Sequence, residues 1–547
     1  MRFTGKTGYI FLAVFVLAFA ATAALACTPM GAGKDATVDG STMVSHTCDG
    51  WYDNRIQIVP GQAFEDGAMA PVYQDVCHGT RPNKPLKKVM EIPQAKQTYT
   101  YFNIGYPFMN EHQLMMGEDT WSGRDENMCS VGAFWIETLE IFGLQRAKTA
   151  REAIEVMGGL AEKYGYGDGG ETLIIADPEE VWVFDICGPG PLWQQGSKDP
   201  GAIWAARRVP DDQVVVCANR SRIGIIDFKD KDDFMYSSNV RSFAKTMGWW
   251  KDGEPFNFST IYNPNPYGSA YYQTRREWRA MSLLAPSKNF KPASQAEHYP
   301  FSVKPDEKVS VQDFIAVYRD HLEGTEFDLT KGIAAGPFGN PNRWATPKSV
   351  RPEGKKDLDW ERAISMFRCS YSFVSQSRSW LPDPVGGVLW FGEDAPDTTC
   401  YVPIYCGVTE IPRSWSEGKR DVFDRNSAWW AFNFVNNWAN LKWSYMIKDI
   451  NAAQAKYEGR FFANQPVVEK RAADLYKENP AKAVDYLTAY TSGNMMVAEE
   501  AWWTLGETLV GKYQDGYVMT PEGKQESVGY PAEWLEKAGF GETMLRK

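Results

Sequence analysis

Ala24-Leu25-Ala26-Cys27-Thr28-Pro29-Met30 ends one kind of sequence and begins another. Before it stand a short basic start, Arg2 and Lys6, and an apolar run from Tyr9 to Leu25. With small residues at 24 and 26, this is the charged, apolar and A-x-A pattern of a cleaved secretory signal peptide. Cleavage after Ala26 leaves a chain whose first residue is Cys27, carrying a thiol and a free α-amine. One residue then supplies both a nucleophile and its base. An α-amino group has a pKa of about 7.7–8.0, so roughly 10–15% is unprotonated at pH 7, against about 0.04% for a lysine. A free thiol, near 8.5, needs only modest help to ionise. The same residues admit three plainer readings: an acylated lipoprotein cysteine, a retained membrane anchor, or a half-cystine.

The full sequence has 547 residues, 44% hydrophobic and 23% charged, an ordinary globular composition. Residues 1–26 hold two basic residues and no acid, so their removal takes the formal charge from −11 to −13 over the 521 residues left. An acidic chain without a basic block is a poor nucleic-acid binder. No second long apolar run follows, so the processed chain is expected to be soluble, without a stable membrane anchor. Besides Cys27 there are eight cysteines, which in an exported protein permit up to four disulfides. Cys400 and Cys406, on either side of Pro403, are the pair closest in sequence and are expected to bridge. There is no C-x-x-C or H-E-x-x-H, and the five histidines are scattered, so neither a metal nor a cofactor is expected.

Hairpins are expected at Asp39-Gly40, between Thr37-Val38 and Ser41–Val44, at Asp177-Pro178, between Thr172–Ala176 and Val181–Phe184, and at Pro210-Asp211-Asp212, between Ile203–Ala206 and Gln213–Val216. The apolar spacing of Ala133–Met157 reads as helix. Residues 227–270 and 285–360 read as long loops or insertions, and Val385–Pro403 as a last strand region. Beyond residue 424, Ser427–Ile450 and Ala472–Lys512 read as tryptophan-rich helices that pack on the rest. The order of strands and helices predicts an α+β layered domain of antiparallel sheet over residues 27–423, then a helical C-terminal extension over 424–547.

The opening Cys27-Thr28-Pro29-Met30, followed by Val38-Asp39-Gly40-Ser41-Thr42-Met43, resembles the N-terminus of the cysteine dipeptidases of the N-terminal-nucleophile hydrolase superfamily. Distant relatives of these are the conjugated-bile-acid hydrolases and penicillin V acylases. The likeness continues through Asn110–Leu114 with Gly117-Glu118, then Cys217–Gly224, Glu323–Thr330, Ala335–Pro341 and Ser377–Pro384, in consistent order along most of the chain. It implies a four-layer αββα sandwich whose N-terminal strand carries the nucleophile. It also implies hydrolysis of dipeptides without a metal or organic cofactor. The signal peptide places the processed chain in the periplasm or outside the cell, and a homo-oligomer is compatible with both.

The resemblance further implies roles. Asp49 closes a segment that in the superfamily reads Arg-x-x-Asp and orients the nucleophile's amine; here His46-Thr47-Cys48-Asp49 keeps the aspartate and replaces the arginine by His46. Asn219 is the implied oxyanion donor, a preorganised neutral amide. Arg276, in Arg275-Arg276-Glu277-Trp278-Arg279-Ala280, matches an Arg-x-x-Arg-Ala segment whose first arginine lies beside the nucleophile and favours thiolate. Glu118 is a candidate for reading the substrate's ammonium. An acylase acting on N-acyl amino acids, or a secreted binding protein with Cys27 blocked, are the competing functions.

Overall fold

Cys27 leads directly into the short strand Met30–Ala32, the middle of a sheet whose neighbours decide what surrounds it. The computed structural model describes residues 27–78, 86–263, 270–292, 299–344 and 361–539. The expected signal peptide, 1–26, lies outside these described residues. Among them, a seven-stranded antiparallel sheet runs in the order Ser302–Val303, Val214–Val216, Met30–Ala32, Met43–Asp49, Cys369–Gln376, Val388–Glu393, Val402–Tyr405. A second, eight-stranded antiparallel sheet runs Phe234–Tyr236, Ile203–Val209, Val181–Cys187, Gly170–Ala176, Met115–Trp121, Met109–Asn110, Tyr101–Asn103, Gln57–Val59.

The two sheets lie face to face, and glycines set their closest approach. A Cβ on Gly31 would stand 2.9 Å from Ile174 Cγ2, and one on Gly117 would stand 3.0 Å from the Ser45 carbonyl oxygen. Successive strand residues point to opposite faces, so beside Gly117 the side chain of Met116 turns outward to the helices Ile136–Arg146 and Ala150–Tyr164, meeting Gly143 and Met157. On the first sheet Phe391 points inward to Phe108, while Trp390 stacks outward on Phe462 of the helix Trp443–Glu478 at 3.9 Å. Both faces of each sheet are therefore covered. That is why strands such as Leu173-Ile174-Ile175-Ala176 read as continuous apolar runs rather than alternating ones.

The Asp177-Pro178 hairpin forms as expected: Ala176 pairs with Val181, and Asp177 Oδ1 accepts from the Glu179 and Glu180 amides. The other two hairpins differ. Met43–Ser45 pair with Met30–Ala32, not with Thr37-Val38, so Asp39-Gly40 sits in a wider connection, with Gly40 at φ +85°. Strands 203–209 and 214–216 belong to different sheets. Their Pro210–Asp212 turn is held by Gly33 and Asp35, whose amides donate to the Gln213 and Asp211 carbonyls, so the chain crosses between layers instead of folding back. The helix expected over Ala133–Met157 is two helices, because Thr149 and Glu152 form a reciprocal capping box that starts the second.

The C-terminal region is helical and packs on the first sheet, with Trp502 buried and its Nε1 donating to the Thr398 carbonyl at 2.7 Å. Its main helices are Ala428–Ala439, Trp443–Glu478 and Pro480–Lys512, followed by the short strand pair Tyr517–Met519 and Gln525–Ser527 and the helix Ala532–Lys537; the two long helices meet at Asn479-Pro480, which breaks the expected Ala472–Lys512 run. Asn479 caps the second helix and Pro480 takes its first turn, where a missing N–H costs nothing. The expected loop region 285–360 holds the helix Val311–Tyr318 with its own Ser310–Asp313 capping box. No helix among the described residues is long and apolar enough to cross a membrane.

All nine cysteines are free and buried, which overturns the expected Cys400–Cys406 bridge. The extended strand Val402–Tyr405 between them spans about 10 Å, more than the roughly 4–7 Å between Cα atoms that a disulfide tolerates.

Candidate active site

Antiparallel pairing brings four elements around Cys27. The ladder extends past Met30–Ala32: the Thr28 amide donates to Thr47 Oγ1 at 3.0 Å, and the Cys217 amide donates to the Pro29 carbonyl at 3.0 Å. Strand Met43–Asp49 therefore presents His46 and Cys48 on one face, Thr47 and Asp49 on the other. The strand Val214–Val216 delivers Asn219 just past its end, and Met115–Trp121 of the facing sheet delivers Glu118. Arg276 comes from the helix Arg275–Leu284. All six expected site residues are buried.

Arg276 ties the cluster together. Its Nη1 donates to the Cys27 carbonyl at 2.7 Å and to Thr28 Oγ1 at 2.8 Å, its Nη2 to Asn219 Oδ1 at 2.7 Å, and its Nε to the Tyr272 carbonyl at 2.8 Å. Asn219 is held at φ +60°, a left-handed conformation that asparagine tolerates better than most residues. Its amide donates to Asp119 Oδ2 at 2.8 Å, and its Nδ2 donates to the Thr120 carbonyl at 2.6 Å. A side-chain amide has two N–H donors, so one remains for an incoming oxygen. Tyr318 adds a clamp, its hydroxyl donating to the Thr28 carbonyl at 2.7 Å.

His46 does not take the place of the missing arginine. It turns away from Asp49 into the space between the sheets, edge-on to Tyr106, Tyr371 and Phe373, with Nε2 3.6 Å from Glu118 Oε2. The guanidinium that pairs with Asp49 is Arg362, whose Nη2 donates to Asp49 Oδ2, the atom that also accepts from Thr47 Oγ1 at 3.1 Å. Asp49 Oδ1 accepts no N–H or O–H among the described residues. Burial raises the Asp49 pKa, against the pull of Arg362 and Arg276.

The electrostatics around the thiol run against a preformed thiolate. Burial first, then the Cys48 thiol and the charge of Glu118, push Cys27 well above its ordinary pKa. Burial works against the charge of Glu118 too, but His46 and Glu171 hold its pKa below the usual value, while Glu171 is driven well above its own. The two directions favour the charge on Glu118 and a proton on Glu171. Cys27 Sγ, an imidazole nitrogen of His46 and a carboxylate oxygen of Glu118 all lie within 4.8 Å of one another.

Arg362, Tyr318, Thr47 and Asp119 were not read from the sequence as site residues. Arg362 sits 313 residues from Asp49 and carries no local signal. A cavity of about 1040 Å³, lined by Ile315, His321, Trp443 and Phe462 among others, lies apart from this cluster and includes none of its six residues. Convergence of side chains, not cavity size, marks the site.

A buried thiol beside a fixed side-chain amide donor and two carboxylates supplies the groups that acyl transfer at a carbonyl would use. The sequence profile of peptidase family C69 matches residues 26–456, and the chain belongs to that family. It is therefore a hydrolase, a peptidase. The chain is 27% identical over 488 residues to a probable dipeptidase of Latilactobacillus sakei, covering 85% of this chain and 90% of that one. It is 26% identical over 414 residues to a probable dipeptidase of Salmonella dublin, covering 72% and 84%. With dipeptidase A of Lactobacillus helveticus it shares 24% over 417 residues, covering 74% and 80%.

Proposed function

We propose that this chain is an exported cysteine dipeptidase that works as an N-terminal-nucleophile hydrolase, with Cys27 as nucleophile and its own α-amine as base. The observation that carries the reading is the convergence of Asp49, Asn219, Arg276, His46 and Glu118, from four separate elements, on the residue that follows Ala24-Leu25-Ala26. Relatives named dipeptidase support the substrate class. The stack of helices, sheet, sheet and helices fits the αββα sandwich of that superfamily.

Removal of residues 1–26 frees the amine beside the thiol. Because the thiol is held protonated, its proton passes to the amine as Sγ attacks the peptide carbonyl. The second N–H of the Asn219 side chain receives the oxyanion, and Arg276 fixes that amide in place. The ammonium then protonates the departing amine, leaving a thioester. Water, deprotonated by the regenerated amine, hydrolyses the thioester. Asp49 Oδ1, which accepts no N–H or O–H among the described residues, is offered to the ammonium that forms in each half-reaction.

Glu118 fits the recognition of a free substrate N-terminus. In a dipeptide the ammonium nitrogen lies about 2.5 Å from the scissile carbonyl carbon. A carboxylate within 4.8 Å of the attacking sulfur is placed for it. Kinetics on a dipeptide and its N-acetyl derivative, with intact mass spectrometry of the exported chain, test the reading. The expected results are a chain starting at Cys27 and hydrolysis of the free dipeptide alone. Preference for the acetylated compound makes the protein an acylase. An acyl group on Cys27 makes it a non-catalytic lipoprotein.

A further inference from the structure

We propose that Cys27, His46 and Glu118 form a binding site for a thiophilic divalent cation, Zn²⁺ above all, and that the cation reversibly shuts off the hydrolysis proposed above. Thiolate, imidazole and carboxylate are the three ligand types of protein zinc sites, with bonds of about 2.0–2.3 Å. At tetrahedral angles such bonds put ligand atoms roughly 3.3–3.8 Å apart. His46 Nε2 and Glu118 Oε2 already stand 3.6 Å apart, and all three ligand atoms lie within 4.8 Å of one another. A contraction of about 1 Å closes the site.

A second, independent observation concerns the imidazole and the carboxylate. Neither ring nitrogen of His46 nor Glu118 Oε2 makes a hydrogen bond among the described residues, although both side chains are at least 99% buried. Orphaned buried polar atoms are costly and rare. Supporting contacts are already built: Thr120 Oγ1 donates to Glu118 Oε1 at 3.0 Å and leaves Oε2 toward His46 Nε2, and three aromatic rings fix the imidazole. In a chain that begins at Cys27, its α-amine completes the fourth position through a five-membered S,N chelate. Binding releases the thiol proton to solvent and forms the metal–sulfur bond, with no change of oxidation state. The cation would occupy the nucleophile, its base and the carboxylate offered to substrate at once. Its inhibitory effect rests on the proposed mechanism, whereas binding itself does not.

The test is titration of the processed protein with Co²⁺, followed by its thiolate-to-cobalt charge-transfer band, beside dipeptide hydrolysis with Zn²⁺ and then EDTA. The expected result is one band at one equivalent, competed away by Zn²⁺. It should be absent in Cys27→Ser, retained in Cys48→Ala, and weakened more than about 10-fold in affinity in Glu118→Gln and His46→Asn. Zn²⁺ should abolish hydrolysis stoichiometrically, and EDTA should restore it. A band that survives Cys27→Ser, or follows Cys48, overturns the site. So does its absence in protein that hydrolyses dipeptides, which leaves the activity standing. A band in protein without hydrolysis keeps the site and removes the activity.

Discussion

Replacing Arg276 by lysine keeps a positive charge and removes the fork that joins Cys27 to Asn219, the proposed nucleophile and oxyanion donor. Arg276 makes four hydrogen bonds, to Cys27, Thr28, Asn219 and Tyr272. A single ammonium has three N–H donors on one atom and cannot serve all four acceptors, so at least one is left without a donor. Each hydrogen bond from a charged group contributes about 1.5–3 kcal/mol. Allowing for partial repair by water, Arg276→Lys should cost about 2–5 kcal/mol of stability. Its effect on rate has a ceiling, because it acts through Asn219. Removing the donor outright, Asn219→Ala, should lower kcat by roughly 10²–10³ with a smaller effect on KM. Arg276→Lys should lower kcat by about 10- to 100-fold, since Thr120 still holds the other side of the amide. The double variant should then fall within about threefold of Asn219→Ala alone, because the two changes damage one interaction. The assay is kcat and KM on one dipeptide for all four proteins, with urea unfolding of each. Losses in kcat that multiply, or a destabilised Arg276→Lys with unchanged kcat, would refute the positioning role.

Three further outcomes follow from the same contacts. His321 lies between Asp397 at 3.0 Å and Glu323 at 3.1 Å; burial opposes its charge, but the two carboxylates raise its pKa to about 10. A pKa raised on folding stabilises fully below the unfolded value of about 6.5 and is lost as pH rises toward 10, so Tm should fall across that window and His321→Gln should flatten the slope. Gly117→Ala places a Cβ 3.0 Å from the Ser45 carbonyl, where backbone must move, and should cost about 1–3 kcal/mol in denaturant unfolding. Glu118→Gln removes the charge offered to the substrate ammonium and should raise KM for free dipeptides at least about 10-fold.

The layered antiparallel architecture was legible because its strands are short, apolar and punctuated by Asp-Gly and Asp-Pro. What could not be read was which sheet each strand joins. Val214–Val216 looks like the return arm of a hairpin with Ile203–Ala206, and only long-range contacts from Gly33 and Asp35 send it to the other layer. Cys369–Gln376, which pairs directly with Met43–Asp49, carries a weak strand signal, its Tyr371 and Phe373 alternating with serines. Ser370 and Ser372 look solvent-facing but are buried, their hydroxyls satisfied by the Gly50 carbonyl and the Tyr401 hydroxyl. The six residues that resemblance named come together in one buried cluster, their roles resting on the proposal above. The partner of Asp49 was not legible, because the chain supplies the arginine from Arg362 rather than position 46. Against the reading of Cys27 as an easily ionised thiol, burial, the Cys48 thiol and the charges of Glu118 and Asp49 all favour its neutral form.

The most direct test of the central claim is dipeptide hydrolysis by Cys27→Ala protein verified by intact mass to begin at residue 27. The change removes one sulfur from a side chain whose backbone carbonyl is still held by Arg276, so fold and unfolding midpoint should stay close to wild type. Hydrolysis should disappear. Wild-type turnover by that correctly processed variant would contradict the account, because no other thiol could then be said to attack the peptide from this position.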